Sequence, residues 1–178
     1  MRAGAAFRET EEFRRGRNGE RLVAELLQSR GWYVIPSYDY SGEDGDKPPR
    51  LQGAAAAFPL PDLDVARDGQ RRWAEVKTKK RADYTRITGR LEHGIPKRHY
   101  RAYKRVQEIT GCEVWLFIYE EETGEVLFAK LDDLEAVKRE YDGPKMSRGG
   151  MVFYPRDAFN VFARIDAAQR AAFSFERS

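Results

Sequence analysis

The dipeptide Asp68-Gly69 restricts the fold of this chain more than any other feature of the sequence. It separates two stretches with strand-like alternation of apolar and polar residues, 61–67 and 70–79. An Asp-Gly pair between two such stretches is the strongest short-range signal for a β-hairpin, because a two-residue turn of this kind needs a positive φ at both positions. The sequence therefore predicts two antiparallel strands joined at this turn.

The turn also predicts which residues of the two strands face each other. If Arg67 is opposite Gln70, then Asp62 lies opposite Glu75, with their Cβ atoms roughly 5 Å apart. Lys77 is two residues beyond Glu75 and shares the same face. The other face of the hairpin carries small or apolar side chains, those of Leu63, Val65, Ala74 and Val76. The hairpin is thus predicted to have one buried apolar face and one face with opposed carboxylates and a lysine.

Two carboxylates that face each other across a strand pair repel, unless a cation lies between them. Mg²⁺ is usually bound through one or two carboxylates, waters and phosphate oxygens, and a nearby lysine can hold a phosphate or orient a water. Asp62, Glu75 and Lys77 therefore predict a metal-phosphate site. Two alternatives stay open: Lys77 neutralises Glu75 on an exposed surface, or Asp64, on the same face, is the metal ligand in place of Asp62.

Periodicity and turn residues divide the rest of the chain into elements. The predicted helices span residues 9–30, 96–110, 131–140 and 155–167. Further strands are predicted over 32–35, 113–119, 125–130 and 151–154, and loops or irregular segments over 37–58, 81–94 and 141–150. This order of elements predicts an α/β fold in which helices flank a mixed β-sheet.

Length and composition restrict the class of protein. A chain of 178 residues with 41% hydrophobic residues is expected to form one domain with its own core. Its longest apolar run, 114–119, is far too short to cross a bilayer, and residues 1–13 contain no apolar signal segment. One cysteine excludes an intrachain disulfide and, with two histidines, argues against a Cys/His zinc site. These features predict a cytoplasmic protein with no membrane partner.

Positive charge is concentrated in one part of the chain. Residues 71–105 contain thirteen Lys and Arg against three acidic residues, a net charge of +10. Because the whole chain carries +3, the rest of it carries −7. Such asymmetry favours a face that binds a polyanion, and its alternative is a solvated basic surface.

The motif residues resemble the catalytic core of the PD-(D/E)XK nuclease superfamily. Pro61-Asp62 matches its PD, and Glu75-Val76-Lys77 matches its (D/E)XK on the following strand. Gly19-Glu20 resembles the glutamate that many members place on their first helix. The resemblance covers residues 16–131 or so, and the compact size and basic helix are most similar to Holliday-junction-resolvase-like or RecB-like members.

The resemblance implies a restriction-endonuclease-like core that hydrolyses DNA phosphodiesters with Mg²⁺, for which Mn²⁺ can substitute. By position, Asp62, Glu75 and the carbonyl of Val76 correspond to the metal ligands, and Lys77 to the residue that positions or activates the water. Glu20 corresponds to a further catalytic residue. The expected organisation is a single nuclease domain over 1–178, with a core at 16–131, an insertion loop at 37–58 and a C-terminal extension at 132–178.

Basic residues around the motif are predicted to hold DNA phosphates, which position DNA without reading its sequence. They are Lys79, Lys80, Arg81, Lys97, Arg101 and Lys104. The predicted function is a metal-dependent DNA endonuclease that acts on branched recombination or repair intermediates. The alternatives are a DNA-binding module with a vestigial nuclease site and a nuclease subunit that needs a protein partner for targeting. A homodimer is compatible with the prediction, because cutting two strands needs two sites.

Overall fold

The computed structural model describes residues 11–36, 50–143 and 149–170. Its main helices are α1 (Glu11–Gln28) and α2 (Lys97–Thr110), and a 3₁₀-helix spans Arg156–Ala158. None of the described helices is long and apolar enough to cross a membrane. The strands are β1 (Tyr33–Pro36), β2 (Arg50–Gln52), β3 (Ala57–Pro59), β4 (Leu63–Arg67), β5 (Gln70–Lys79), β6 (Asp83–Thr85), β7 (Arg90–Pro96), β8 (Val114–Glu120), β9 (Glu125–Lys130), β10 (Arg139–Tyr141), β11 (Met151–Pro155) and β12 (Asn160–Arg164).

Six of these strands form a mixed sheet in the order β1-β4-β5-β8-β9-β12. Strands β5 and β8 run parallel, and all other neighbours in this sheet are antiparallel. A second, antiparallel sheet has the order β10-β11-β7-β6, and β2 and β3 form a separate hairpin. The predicted fold class, an α/β protein with helices flanking a mixed sheet, is confirmed.

The β4–β5 hairpin forms in the predicted register. Asp68 and Gly69 have φ angles of 50° and 74°, so both turn residues adopt the left-handed conformation that the sequence requires. Leu63 pairs with Ala74, which puts the apolar residues of the two strands on one face. The predicted turn and the predicted division of the hairpin into two faces are confirmed.

One face of the six-stranded sheet packs against α1. Leu22, Val23 and Leu27 of the helix are buried and contact the apolar face of the hairpin, which includes Val65 and Val76. Burying a side chain of this size contributes roughly 1.5–3 kcal/mol. This stripe of α1 therefore fixes the helix against the strand that carries the motif.

The opposite face of the sheet is covered by α2 and the second sheet. Val106 of α2 packs there with Ile95 and Tyr154 of the second sheet, above the buried ring of Trp73. Gly111 ends α2 with a φ of 67°, as the sequence predicts for a helix C-terminus. The motif face of the hairpin therefore lies on the side of this layer, where Glu75 is buried and Lys77 is partly exposed.

Three predicted elements are wrong. Residues 81–94, predicted as irregular, contain β6 and most of β7. Residues 131–140, predicted as a helix, form turns that lead into β10, and residues 155–167, also predicted as a helix, contain the 3₁₀-helix and β12. Strand β7 pairs with β11 and β12 pairs with β9, so partners distant in sequence determine these strands.

The predicted loop over 37–58 is only partly described. Residues 50–52 pair with 57–59 to form the β2–β3 hairpin, so the described part contains two strands that are joined by residues 53–56. Residues 37–49 lie outside the described residues, as do 9–10 of the predicted first helix and 144–148 of the predicted loop over 141–150.

Candidate active site

Asp62 lies immediately before β4 and is buried, with 7% of its surface exposed. The paired part of the β4–β5 ladder ends at Leu63 and Ala74. Beyond this point the Oδ2 atom of Asp62 accepts a hydrogen bond from the backbone N–H of Val76 at 2.9 Å. The side chain of Asp62 thus binds β5 just beyond the last backbone pair of the hairpin. This hydrogen bond fixes the carboxylate beside the strand that carries Glu75.

Glu75 is buried more deeply than Asp62, with 1% of its surface exposed. Its Oε1 atom accepts a hydrogen bond in an ion pair with Nζ of Lys77. Its Oε2 atom is buried and has no hydrogen-bond partner among the described residues. Since buried polar atoms are nearly always hydrogen-bonded, an unpaired carboxylate oxygen indicates a water or an ion, or a functional role.

The protonation equilibria of the site reflect its burial and its opposed charges. Burial, followed by the nearby Glu75 carboxylate, raises the pKa of Asp62 to about 7. Burial acts in the opposite direction on Lys77, but the carboxylates of Glu75 and Asp62 outweigh it and raise the pKa of this lysine above its usual value. Lys77 is therefore a charged ammonium group at neutral pH.

The donor atoms of this site fit a hard divalent cation. Asp62 and Glu75 supply two carboxylates, and the Oε2 atom of Glu75 is available as an acceptor. The carbonyl oxygen of Val76 lies on the same side, 3.4 Å from Nζ of Lys77. No cluster of three or more His, Cys, Asp or Glu side chains with metal-binding geometry occurs in residues 11–36, 50–143 and 149–170. The arrangement fits Mg²⁺, which is commonly held by one or two carboxylates and waters.

Asp64 is held by a different partner. Its two oxygens accept hydrogen bonds from the guanidinium group of Arg71 at 2.9 and 2.5 Å. A bidentate pair of this kind fixes the orientation of the carboxylate. The geometry therefore favours Asp62 over Asp64 as the residue that acts together with Glu75.

Glu20 approaches the site from α1. It is partly buried, and its carboxylate adds to those of Glu75 and Asp62 in raising the pKa of Lys77 against the effect of burial. The preceding residue, Gly19, is buried against β5, and a Cβ atom at this position would lie 2.0 Å from Oγ1 of Thr78. The missing side chain of Gly19 is what allows α1 to approach β5 and bring Glu20 towards Lys77.

The change Gly19→Ala is expected to lower the free energy of unfolding by about 1–2 kcal/mol, because the added methyl group overpacks against a stiff β-branched side chain. The matched control is Gly16→Ala on the same helix, where no atom lies within 4 Å of the new Cβ. That change is expected to raise the free energy of unfolding by about 0.5–1 kcal/mol, because alanine favours a helix over glycine. Urea denaturation measures both values.

Adding Thr78→Ala to the Gly19→Ala variant tests the contact directly. The Oγ1 atom of Thr78 is buried without a hydrogen-bond partner among the described residues, so its removal breaks no bond. The double variant is expected to recover most of the stability that Gly19→Ala loses. Equal stability of the Gly16→Ala and Gly19→Ala variants would contradict the close approach of helix and strand.

The three basic residues around the end of β5 differ in their exposure. Lys79 is partly buried, and burial, followed by the charge of Lys77, lowers its pKa. Lys80 and Arg81 are exposed, and the guanidinium group of Arg81 lies 3.5 Å from the carboxylate of Glu122. Lys80 and Arg81 are thus the residues of this group that solvent and a ligand can reach most easily.

The basic residues of α2 are not equivalent either. Lys97 is buried, and its Nζ atom forms ion pairs with Glu140 and Asp142 at 2.5 and 3.0 Å. The structure therefore argues against a phosphate contact by Lys97. Lys104 pairs with an aspartate in the turn after β9 at 2.6 Å. Arg101 is exposed and forms no ion pair with a described residue.

Sequence reasoning missed a groove beside the site. It lies between the β2–β3 hairpin and α2 and has a volume of about 500 Å³. His99 lines it, and burial, followed by the positive charge of Lys77, lowers the pKa of His99 to about 4. Arg98 and Arg101 are three residues apart, so on a helix they lie on the same face. This spacing is the sequence feature that could have indicated one wall of the groove. The sequence carries no comparable signal for the hairpin that forms the other wall.

These features define a restriction-endonuclease-like fold: a mixed sheet between helices, with two carboxylates and a lysine on a central hairpin. The chain matches the solved structure of Hjc, a Holliday junction resolvase from the archaeal hyperthermophile Archaeoglobus fulgidus. The TM-score is 0.50 and the sequence identity 16%, over 81% of this chain and 91% of that chain. The predicted restriction-endonuclease-like fold is confirmed.

A second match is the structure of a nuclease from a fusselovirus. Its TM-score is 0.43 and its sequence identity 13%, over 90% of each chain. The sequence matches no protein-family model, and it matches no curated protein. The comparisons therefore establish the fold, and the activity has to be argued from the site.

Proposed function

We propose that this protein is a metal-dependent DNA endonuclease that hydrolyses phosphodiester bonds, with branched intermediates of recombination or repair as its substrates. One observation carries the proposal. The buried carboxylates of Asp62 and Glu75 lie together beside the ammonium group of Lys77, and one oxygen of Glu75 has no partner among the described residues. Burial of two neighbouring carboxylates lowers the stability of the folded chain. Binding of a cation and a phosphate would explain why these residues occur together at this position.

Asp62, Glu75 and the carbonyl of Val76 would hold Mg²⁺ or Mn²⁺. A metal ion bound there would supply a Lewis acid that stabilises charge on the scissile phosphate. Lys77 acts as a hydrogen-bond donor, since its Nζ atom already donates to Glu75 and is charged at neutral pH. It orients the attacking water or neutralises a phosphate oxygen, and Glu20 adds negative charge from the side of α1.

The exposed cations next to this site would hold the DNA backbone. Lys80 and Arg81 follow the motif strand directly, and Arg101 projects from α2. Contacts of this kind add affinity without sequence specificity and weaken as salt concentration rises. The fold of a Holliday junction resolvase supports DNA as the substrate and favours branched DNA over other forms.

The proposal is tested by incubating the purified protein with supercoiled plasmid, linear duplex, single-stranded DNA and a four-way junction. Each substrate is used in Mg²⁺, in Mn²⁺ and in EDTA. Cleavage in either metal and none in EDTA is expected, with the junction cleaved faster than linear duplex. Binding without cleavage of any substrate would contradict the proposal and leave a DNA-binding module, or a subunit that needs a protein partner.

A further inference from the structure

The groove between the β2–β3 hairpin and α2 has two fixed walls. Phe58 and Pro59 of β3 form one wall, and Ala102 lies on the helix that forms the other. Phe58 and Leu60 also pack against the core beneath α2, which anchors the hairpin. Arg50 of β2 donates a side-chain hydrogen bond to the carbonyl of Ala57 in β3 at 2.7 Å, which adds a contact between the two strands of the hairpin. Packing and hydrogen bonds of the fold therefore hold both walls of the groove in place.

The groove presents uncompensated positive charge. Arg50, Arg98 and Arg101 line it, and none of the described residues that line it is acidic. Neither Arg98 nor Arg101 forms an ion pair with any residue in the described parts of the chain. By contrast, Lys104 and Arg105 on the same helix pair with carboxylates at 2.6 and 2.8 Å. On α2, therefore, the charges of Lys104 and Arg105 are neutralised by carboxylates, whereas those of Arg98 and Arg101 are left for an anionic ligand.

The groove leads to the candidate active site. Pro59 precedes Asp62 by three residues, so their Cα atoms are at most about 11 Å apart. On the opposite wall, His99 lies close enough to Lys77 for the lysine charge to add to burial in lowering the pKa of this histidine. One DNA strand advances about 3.4 Å per nucleotide, so a strand with a phosphate at Asp62 would reach the groove within about three nucleotides.

We infer that this groove binds an unpaired DNA strand that continues from the scissile phosphate, an inference that rests on the proposed function. The arginines of the groove match the phosphates of such a strand, and the rings of Phe58 and His99 can stack on its bases. In a duplex the base faces are stacked on each other and only base edges are accessible. Among branched DNA molecules, the substrate class is therefore those with a single-stranded segment next to the cleavage site.

Fluorescence anisotropy in EDTA tests the inference without cleavage. The probes are an oligothymidylate of about 15 nucleotides, which is long enough to span the candidate active site and the groove, and a blunt duplex of equal length. The wild-type protein is expected to bind the single strand more tightly than the duplex. The double change Arg98→Ala/Arg101→Ala should weaken single-strand binding by about tenfold and reduce the slope of log K against log salt by about 1.4.

The change Phe58→Leu separates stacking from charge. Leucine keeps the apolar contact with the core but removes the ring, so single-strand binding should weaken by about fivefold or more while duplex binding stays unchanged. The matched charge control is Arg105→Ala/Lys130→Ala, which removes two cations that are paired with Glu108 and Glu113. This control should change single-strand affinity by less than about twofold. Circular dichroism verifies that each variant is folded.

Three results would overturn the inference. One is unchanged single-strand affinity in the groove variants, and a second is an equal loss of this affinity in the control and in the groove variant. The third is a loss of duplex affinity with Phe58→Leu that is as large as its loss for the single strand. The assay needs no catalysis, so a protein that cleaves nothing but binds the single strand through the groove would refute only the proposed function. Cleavage together with unchanged binding in the groove variants would refute only the groove.

Discussion

The change Glu75→Gln is expected to reduce the rate of DNA cleavage by about 10³-fold or more, because an amide cannot supply the negative oxygen that a hard cation requires. The side chain keeps its shape, and Glu75 lies 1% exposed beneath the surface, so DNA affinity in EDTA should change by less than about twofold. Lys77→Met should reduce cleavage by about 10²–10³-fold, since the donor beside the reacting phosphate is lost. Single-turnover cleavage of the preferred substrate measures both rates.

The neighbouring aspartates provide the matched comparison. Asp62 and Asp64 lie two residues apart, yet Asp62 contacts the backbone of Val76 and Asp64 is bound to Arg71. Asp62→Asn should therefore abolish cleavage, while Asp64→Asn should retain it within about a factor of ten. The reverse order of the two rates would identify Asp64 as the ligand. Full activity of the Glu75→Gln variant would contradict the assignment of these residues as the active site.

The parts of the fold that the sequence predicts well are those determined by neighbouring residues. Asp68 and Gly69 set the turn of the central hairpin, and the turn sets its register. Gly111 likewise ends α2 through its own backbone conformation. Strand β12 was predicted as part of a helix, because its conformation is determined by pairing with β9, which lies about thirty residues earlier in the chain. Local chemistry therefore predicts turns and caps, and long-range pairing decides the rest.

The candidate site divides in the same way. The proximity of Asp62, Glu75 and Lys77 follows from a register that the sequence contains, although their catalytic roles stay predictions until they are measured. Lys97 looks like an exposed helix cation in the sequence, because its partners, Glu140 and Asp142, lie more than forty residues away and meet it only in the folded chain. Whether a charged side chain is free to bind a ligand depends on its ion-pair partners, and the periodicity of the sequence does not reveal partners that are distant along the chain.

A second buried charge cluster, away from the motif, decides how the sheets are held together. Glu120 is 0% exposed, and its carboxylate accepts hydrogen bonds from Arg156 at 2.9 and 2.7 Å and from Thr123 at 2.9 Å. His93 lies 2.9 Å from the same carboxylate, and because the ionised carboxylate only accepts, Nε2 of His93 carries the hydrogen. Arg156 also binds Glu125, and so connects the two strands of the β8–β9 hairpin.

The change Arg156→Met is expected to lower the free energy of unfolding at pH 7 by about 3 kcal/mol, because it leaves the Glu120 carboxylate buried without its cation. The value lies at the lower end of the range for broken buried pairs, since the side chain of Arg156 is itself 28% exposed. Arg164→Met is the matched control, because Arg164 binds Glu125 as well but is 73% exposed. It should cost less than about 1 kcal/mol. Urea denaturation measures both.

The pH dependence of this difference identifies its cause. Burial alone would raise the pKa of Glu120, but hydrogen bonds from Arg156 and Thr123 hold it below the usual value. A folded-state pKa below the unfolded one gives stability that is present above about pH 4.5 and is lost as the pH falls through the folded value. Without the guanidinium group, burial raises the pKa of Glu120 in the variant, so the gap between wild type and Arg156→Met should be widest near neutral pH and should begin to shrink before the pH falls to about 4.5. A gap that stays constant down to acidic pH would attribute the loss to packing and not to the charge of Glu120.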